Sequence, residues 1–425
     1  MPEDLDRILE DVFRREWPAL VGAAARITGD LGRAEEVAQD VLVAALDRWP
    51  FAGVPERPAA WLITAVRNRA RNRVRDDARA RAREVRTAGP EVHAVDEVAR
   101  GPIDDDRLRL ILTCCHPVLA VDAQIALTLR MVGGLATPEI ARSFLVPTST
   151  MSQRLVRAKR ALAAAEVAFE LPSPAEWSVR LPGVLTVIYL IFNEGYAASA
   201  GQVLTRPALC EDARRMAHLL VELLPEEGEV RGLHALTCLL SARLATRVDG
   251  NGDLVLLEDQ DRSRWDQSLL AAGEASIESA LRLGPPGPTT LQAMIAACHT
   301  RAPTWESTNW PAIVALYDEL VSRNPSPVVE LNRAVASSMI DLEDAWPVID
   351  TITERLPNYA PARAARADAL RRLGRHREAV AEYERAAQLD QNDAERHFLL
   401  RRIEECRALL GHGSARRIGQ GDTAG

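Results

Sequence analysis

Residues 137–160 read TPEIARSFLVPTSTMSQRLVRAKR, a pattern that predicts two short helices joined by a tight turn. Thr137 and Pro138 suit the cap and first position of one helix, and Pro147 suits the start of the next. The apolar spacing predicts two inward faces, formed by Ile140, Ala141 and Phe144 and by Met151, Leu155 and Ala158. The outer face of the second helix carries hydroxyls and an amide followed by arginines: Ser149, Thr150, Ser152, Gln153, Arg154 and Arg157.

That outer face has the chemistry of a DNA-reading helix-turn-helix. Hydroxyl and amide groups reach base edges in the major groove, while arginines bind phosphates or guanine. An ordinary amphipathic hairpin with a solvated polar face is the alternative, and this stretch alone does not exclude it.

Composition predicts the fold class. Among 425 residues, 47% are hydrophobic and only 4% aromatic, which favours an all-α protein, and the length favours two or three domains. The net charge is -8, yet residues 1–170 hold 25 basic and 25 acidic residues, so the deficit belongs to the rest of the chain. A neutral DNA-binding half predicts modest affinity for free duplex and a larger partner that supplies further contacts.

The six cysteines show no Cys-x-x-Cys spacing, which predicts buried free thiols in a reducing cytoplasm. Cys114-Cys115-His116 lacks a second ligand pair, so we expect no metal site and no cofactor. No apolar run reaches the roughly 18 residues of a membrane span, and the N-terminus begins acidic. We therefore expect a soluble, cytoplasmic protein that does not bind membranes.

The N-terminal segments predict a second small helical module. A helix over 33–48 leaves Glu35, Glu36, Gln39 and Asp40 outside, and residues 49–58 form a loop. A third helix begins at Ala59 and continues into 67–86, a stretch that contains nine arginines and three acidic residues. That basic run suits contact with a nucleic-acid backbone, although a solvated arginine face is the alternative. Residues 87–103 form a linker, followed by helices at 105–115 and 121–131.

The C-terminal half predicts helices at 182–200, 208–224, 229–247, 266–283, 289–301 and 310–323. Between two of them, residues 258–266 cluster carboxylates and arginines. Such a cluster can form an active site or fix a loop, and without a nucleophile or metal spacing we favour the structural role, with Asp266 capping the next helix.

A repeat precedes the C-terminus. Within 360–393, Gly374, Ala379, Tyr383 and Ala386 occupy the signature positions of a tetratricopeptide repeat, with Leu370 and Leu373 inward. Ala345 and Ile349 lie 34 residues before Ala379 and Tyr383 and so align with them, and Pro357 occupies the position at which a repeat ends. Such repeats stack into a concave binding surface for a protein or for another part of the chain. The tail from Gly411 is predicted to be disordered.

Taken together, residues 8–165 resemble an extracytoplasmic-function sigma factor of the sigma-70 family with its two conserved regions. Segment 33–49 resembles the helix that docks on core RNA polymerase, and 59–75 resembles the helix that recognises and melts the minus 10 element. Segment 137–160 resembles the helix-turn-helix that reads the minus 35 element, ending in the recurrent QRLVRAK pattern at 153–159. Three such segments in order are more specific than any one of them.

The resemblance implies roles for particular residues. The expected polymerase contacts are Glu35, Glu36, Gln39 and Asp40. The expected minus 10 contacts are Arg57, Trp61, Asn68, Arg69, Asn72 and Arg73, beside a loop at 50–58 that would hold an unstacked base. The expected minus 35 contacts are Ser149, Thr150, Gln153, Arg154 and Arg157.

The long C-terminal part resembles the extension of one subgroup of these factors, where it stands in for a separate anti-sigma protein. The resemblance also implies a small YCII-related (DGPF) partner, beside core RNA polymerase and promoter DNA. The expected domains are region 2 (1–86), a linker (87–103), region 4 (104–168), a helical extension (169–325), tetratricopeptide-like repeats (326–410) and a tail (411–425).

Two other functions stay open at this point. A helix-turn-helix regulator with a tetratricopeptide interaction domain would bind an operator unaided, but it has no use for the loop and basic helix at 50–75. An enzyme would use the 258–266 cluster, for which the sequence offers no catalytic motif, so we expect no catalytic activity.

Overall fold

The computed structural model describes residues 16–84, 103–143, 146–171, 173–199, 201–390 and 392–419. These ranges are α-helical and contain no β-strand, as predicted, with isolated bridges joining Gly201 to Asn392 and Val248 to Leu254. None of the helices in them is long and apolar enough to cross a bilayer. The chain divides within α8 into two compact units, Met1–Ile191 and Phe192–Gly425.

The first unit contains α1 (16–28), α2 (Leu31–Ala52), α3 (Pro58–Glu84), α4 (Ile103–Cys114), α5 (Val121–Met131), α6 (Thr137–Ser143), α7 (Thr148–Ala164) and most of α8 (Pro174–Tyr196). Its core is aliphatic and alanine-rich. Leu20, Leu62, Leu108 and Leu127 come from four different helices and are fully buried. The predicted linker lies outside the described residues up to Ile103, where α4 begins.

The second unit contains α9 (Pro207–Leu223), α10 (Gly228–Ala242), α11 (Gln267–Leu283), α12 (Pro288–Arg301), α13 (Trp310–Arg323), α14 (Pro327–Ser337), α15 (Leu342–Arg355), α16 (Ala360–Arg372), α17 (His376–Leu389) and α18 (Asp393–Gly419). Helix α10 packs against α9, α11 and α12. Gly232 permits the close approach of α12, since a Cβ at this position would lie 2.8 Å from the Thr290 backbone on that helix.

The predicted repeat positions are buried where helices pair. Ala379, Tyr383 and Ala386 lie in the core between α16, α17 and α18, and Ala345 and Ile349 are buried on α15. Gly374 adopts a φ of +74° in the turn between α16 and α17, a conformation that favours glycine. Helix α18 continues to Gly419, beyond the predicted start of a disordered tail at Gly411, and 420–425 lie outside the described residues.

The charged segment 258–266 makes capping and loop-fixing contacts, including the predicted cap at Asp266. Asp266 accepts hydrogen bonds from the backbone of Ser268 and Leu269 and so caps α11. Asp261 caps the short helix Arg262–Arg264 in the same way. Arg262 donates to the carbonyls of His299 and Ala302, both at 2.7 Å, which ties this loop to the end of α12.

Candidate DNA and polymerase interfaces

Helix α2 carries the predicted polymerase-binding face. Asp30 caps its first turn by accepting from the Arg33 backbone at 2.8 Å. The helix runs through Pro50 to Ala52, so the predicted loop at 49–58 begins later than expected and covers only 53–57. Burial of Trp49, which is 2% exposed, accounts for the extra turn, and Gly53 ends the helix with a φ of +81°.

Three of the four predicted polymerase contacts are exposed on α2, namely Glu36, Gln39 and Asp40. The prediction that Glu35 also lies on this outer face is wrong. Glu35 is only 7% exposed, because its carboxylate accepts from Arg130 Nε at 2.9 Å and from Lys159 Nζ at 2.7 Å. We call these three residues the Glu35 cluster.

Helix α3 displays most of the predicted minus 10 residues. Arg57 in the preceding turn and Asn68, Arg69, Asn72 and Arg73 on the helix are all exposed.

Trp61 has a mixed environment. It is half-buried and lies edge-on to Trp49, with ring centroids 5.5 Å apart. Part of its surface therefore belongs to the packing between α2 and α3, and the rest faces solvent.

The two predicted faces touch each other. Arg69 donates to Asp40 at 3.0 Å, and Arg73 donates to Glu36 at 3.4 Å. All four side chains are about half exposed or more, so each pair contributes roughly 0.2–1 kcal/mol. Such weak pairs allow the guanidinium groups to exchange a carboxylate for a phosphate at little cost.

The helix-turn-helix forms as predicted from α6 and α7. Ile140 and Ala141 are buried in α6, and Met151, Leu155 and Ala158 are buried in α7. Phe144, the third predicted apolar residue of the first helix, lies outside the described residues.

The outer face of α7 presents the predicted readout residues. Ser149, Thr150, Gln153 and Arg157 are exposed. Arg154 is less free: its side chain is 27% exposed, and one guanidinium nitrogen lies 3.8 Å from a carboxylate oxygen of Asp122. The beginning of α7 is therefore the part that can enter a major groove, because short polar side chains there stand clear of the core.

Helices α5 and α7 pack on α1 and α2 through contacts that the sequence did not single out. Trp17 Nε1 donates to the Arg130 carbonyl at 3.1 Å, and the Arg130 guanidinium lies over the Trp17 ring. Together with the Glu35 cluster, these contacts join α1 and α2 to α5 and α7.

A second buried carboxylate lies at the same junction. Asp106 on α4 is 1% exposed and pairs with Arg26 on α1 and Arg109 on its own helix. Burial raises the pKa of Asp106 despite the two arginines, which act in the opposite direction. No sequence signal distinguishes Asp106 from its acidic neighbours Asp104 and Asp105.

Comparison with known proteins places this geometry in a family. The profile of Sigma-70 region 2 matches residues 12–80, and that of Sigma-70 region 4 matches 109–162. A family of unknown function, DUF6596, matches 180–281.

An uncharacterized protein of Rhizobium meliloti is 40% identical over 403 residues, which is 92% of this chain and 94% of that protein. The ECF RNA polymerase sigma factor SigK of Mycobacterium ulcerans is 29% identical over 176 residues, or 38% of this chain and 92% of that protein. SigK of Mycobacterium tuberculosis is 29% identical over 178 residues, with 38% and 93% coverage. No solved structure matches.

A region 2 followed by a helix-turn-helix region 4 defines a DNA-binding sigma factor that acts in transcription initiation. The chain belongs to the extracytoplasmic-function sigma factor family, in the subgroup with a long C-terminal helical extension.

Proposed function

We propose that this sigma factor binds core RNA polymerase through the exposed face of α2, opens promoter DNA through α3 and reads the upstream element through α7. The main support is the adjacency of two exposed faces in region 2: the Glu36, Gln39 and Asp40 side chains and the α3 arginines. Carboxylates suit a basic protein surface, and arginines with asparagines suit backbone contact and stacked or flipped bases. The assignment gives the chain no catalytic step.

Promoter recognition requires the two regions to separate. The minus 10 and minus 35 elements are named for positions about 25 base pairs apart. That spacing corresponds to roughly 85 Å of duplex at 3.4 Å per base pair. A compact domain of about 190 residues has a radius of gyration of about 16 Å. Regions packed within one such unit cannot reach both elements at once, so we assign the packed arrangement to the resting protein.

The Glu35 cluster holds region 4 on region 2 in this resting form. Arg130 and Lys159 come from α5 and α7, while Glu35 comes from the helix proposed to meet the polymerase. We propose that polymerase binding competes with this contact, because Glu35 directly precedes the exposed Glu36 in α2 and its carboxylate is held by Arg130 and Lys159. The cluster thus couples polymerase binding to release of region 4.

The extension is proposed as a built-in regulator of this opening. The small YCII-related partner has no support among the comparisons and remains a prediction from the resemblance. Truncation after residue 170 tests regulation directly: equal transcription by the truncated and full-length chains would refute it.

Run-off transcription with purified core polymerase tests the main proposal. Full-length protein should direct transcripts from particular genomic fragments, and Asn72→Ala should reduce them more on double-stranded templates than on templates with a premelted minus 10 region. The matched control is Thr64→Ala, an exposed and uncharged change on the same helix outside the basic run and the predicted contacts. Operator binding without any polymerase-dependent transcript would favour the helix-turn-helix regulator instead.

A further inference from the structure

The second unit contains a pocket for which the sigma-factor function has no use. Its volume is about 550 Å³, within the range of roughly 300–1,000 Å³ typical of small-molecule sites. Residues of helices α16, α17 and α18 line it, together with residues 256–258, Trp305 and Met339.

One wall of the pocket is basic. Arg371 and Arg372 on α16 and Arg402 on α18 line it, with side chains between 19% and 28% exposed. The acidic lining residues are Asp368, which already pairs with Arg371 at 2.6 Å, and the exposed Glu258. Three guanidinium groups against two carboxylates leave the lining with an excess of positive charge.

The arginines retain hydrogen-bonding capacity toward a ligand. Arg372 donates to the carbonyl and hydroxyl of Ser338, which are neutral acceptors, at 2.7 and 3.1 Å, and its guanidinium lies 4.0 Å from a carboxylate oxygen of Asp368. Arg402 donates to Glu405, whose side chain is 53% exposed. Each guanidinium has five N–H donors, and these contacts engage only part of them. A planar carboxylate or a sulfonate matches such donors.

The remaining lining is aromatic and apolar. Trp305, Phe398 and Tyr383 line the pocket with Leu256, Leu257, Met339 and Ala364. Trp305 is held in place by Trp310, edge-on at 4.9 Å, and by the parallel ring of His299. The Arg402 guanidinium lies over the Phe398 ring, which joins the basic wall to the apolar one.

We propose that this pocket binds a small organic anion, with an aromatic or aliphatic body against Trp305 and Phe398 and an acidic group at Arg372 and Arg402. Charge alone would serve an inorganic ion, but the apolar volume next to the arginines requires a larger ligand. The binding claim is independent of the proposed promoter contacts. Only its consequence, a signal passed to the sigma regions, rests on the proposed function of the extension.

Fluorescence titration of the full-length chain with 8-anilinonaphthalene-1-sulfonate tests the proposal. This probe combines an aromatic body with a sulfonate. We expect saturable binding of one equivalent and at least tenfold weaker binding of N-phenyl-1-naphthylamine, the uncharged counterpart. Arg402→Gln should weaken probe binding at least tenfold. Arg407→Gln on the same helix should leave it unchanged, since Arg407 is exposed and pairs with Glu384 outside the pocket.

A second variant separates loss of the site from loss of the fold. Ala364→Leu would place extra atoms in the pocket without removing charge, and it should also abolish binding while the thermal unfolding transition is retained. Equal affinity for the charged and uncharged probes, or wild-type affinity in both Arg402→Gln and Ala364→Leu, would overturn the proposal. Displacement of the probe by a peptide carboxylate but not by 1-naphthoate would assign the pocket to a protein partner instead.

Discussion

Replacing Lys159 with methionine should increase the affinity of this sigma factor for core RNA polymerase. Lys159 lies on α7, and its ammonium donates to Glu35 on α2 at 2.7 Å. Methionine keeps much of the length of the side chain but removes the charge. Glu35 keeps its bond to Arg130, so the variant leaves no buried carboxylate unpaired.

The magnitude follows from the burial of the pair. A hydrogen bond to a charged group contributes about 1.5–3 kcal/mol, and the Lys159 side chain is 26% exposed, which favours the lower end. A loss of about 1.5 kcal/mol from the packed form raises the open fraction about tenfold. The apparent dissociation constant of the polymerase complex should fall by the same factor while the open form stays a minority.

The assay is a competition titration against labelled protein on core polymerase, without DNA. Lys159→Arg preserves the charge and should bind as the wild type does. Arg160→Met removes an exposed cation next to the cluster and should also have no effect. Unchanged or weaker binding by Lys159→Met, with both controls at wild-type affinity, would refute the role of the Glu35 cluster as the contact that holds the resting form.

Three further outcomes are expected. Gln153→Ala should reduce discrimination at one base pair of the upstream element by about 1–3 kcal/mol. Arg157→Ala should weaken binding to all sequences alike and lower the steepness of log K against log salt concentration by about 1. Binding to promoter variants measures both effects. Gly232→Ala should destabilise the second unit by about 1–3 kcal/mol in thermal unfolding, because the added Cβ meets the Thr290 backbone. Burial lowers the pKa of His234 to about 4, so the unfolded chain takes up a proton first and stability should fall as pH drops from about 6.5 toward 4, less steeply in His234→Gln.

Local patterns predicted what depends on near neighbours. The apolar spacing in α7 correctly gave Met151, Leu155 and Ala158 as buried and left Gln153 exposed, because helix periodicity fixes which side chains share a face. Capping chemistry likewise identified Asp266 as the start of α11. These features need no knowledge of the rest of the chain.

Contacts between distant segments escaped the same reasoning. Glu35 reads as a surface residue on α2, since nothing nearby in the sequence requires its burial, and its partners follow 95 and 124 residues later. Asn392 is a similar case in the second unit. It is fully buried because its amide donates to the carbonyls of Ala198 and Val203, nearly two hundred residues away. A polar residue whose partners are remote gives no periodic signal.

The misassigned residue is also the one that links the two predicted activities. An exposed Glu35 would make polymerase binding and region 4 independent, whereas the proposed competition for a Glu35 held by Lys159 would make them exclusive until the contact breaks. Glu35→Gln distinguishes a contact that serves only the resting form from one that the polymerase also uses. If Glu35 serves only the resting form, Glu35→Gln should tighten polymerase binding as Lys159→Met does. If the polymerase takes over the carboxylate after release, Glu35→Gln should instead lose affinity while Lys159→Met gains it.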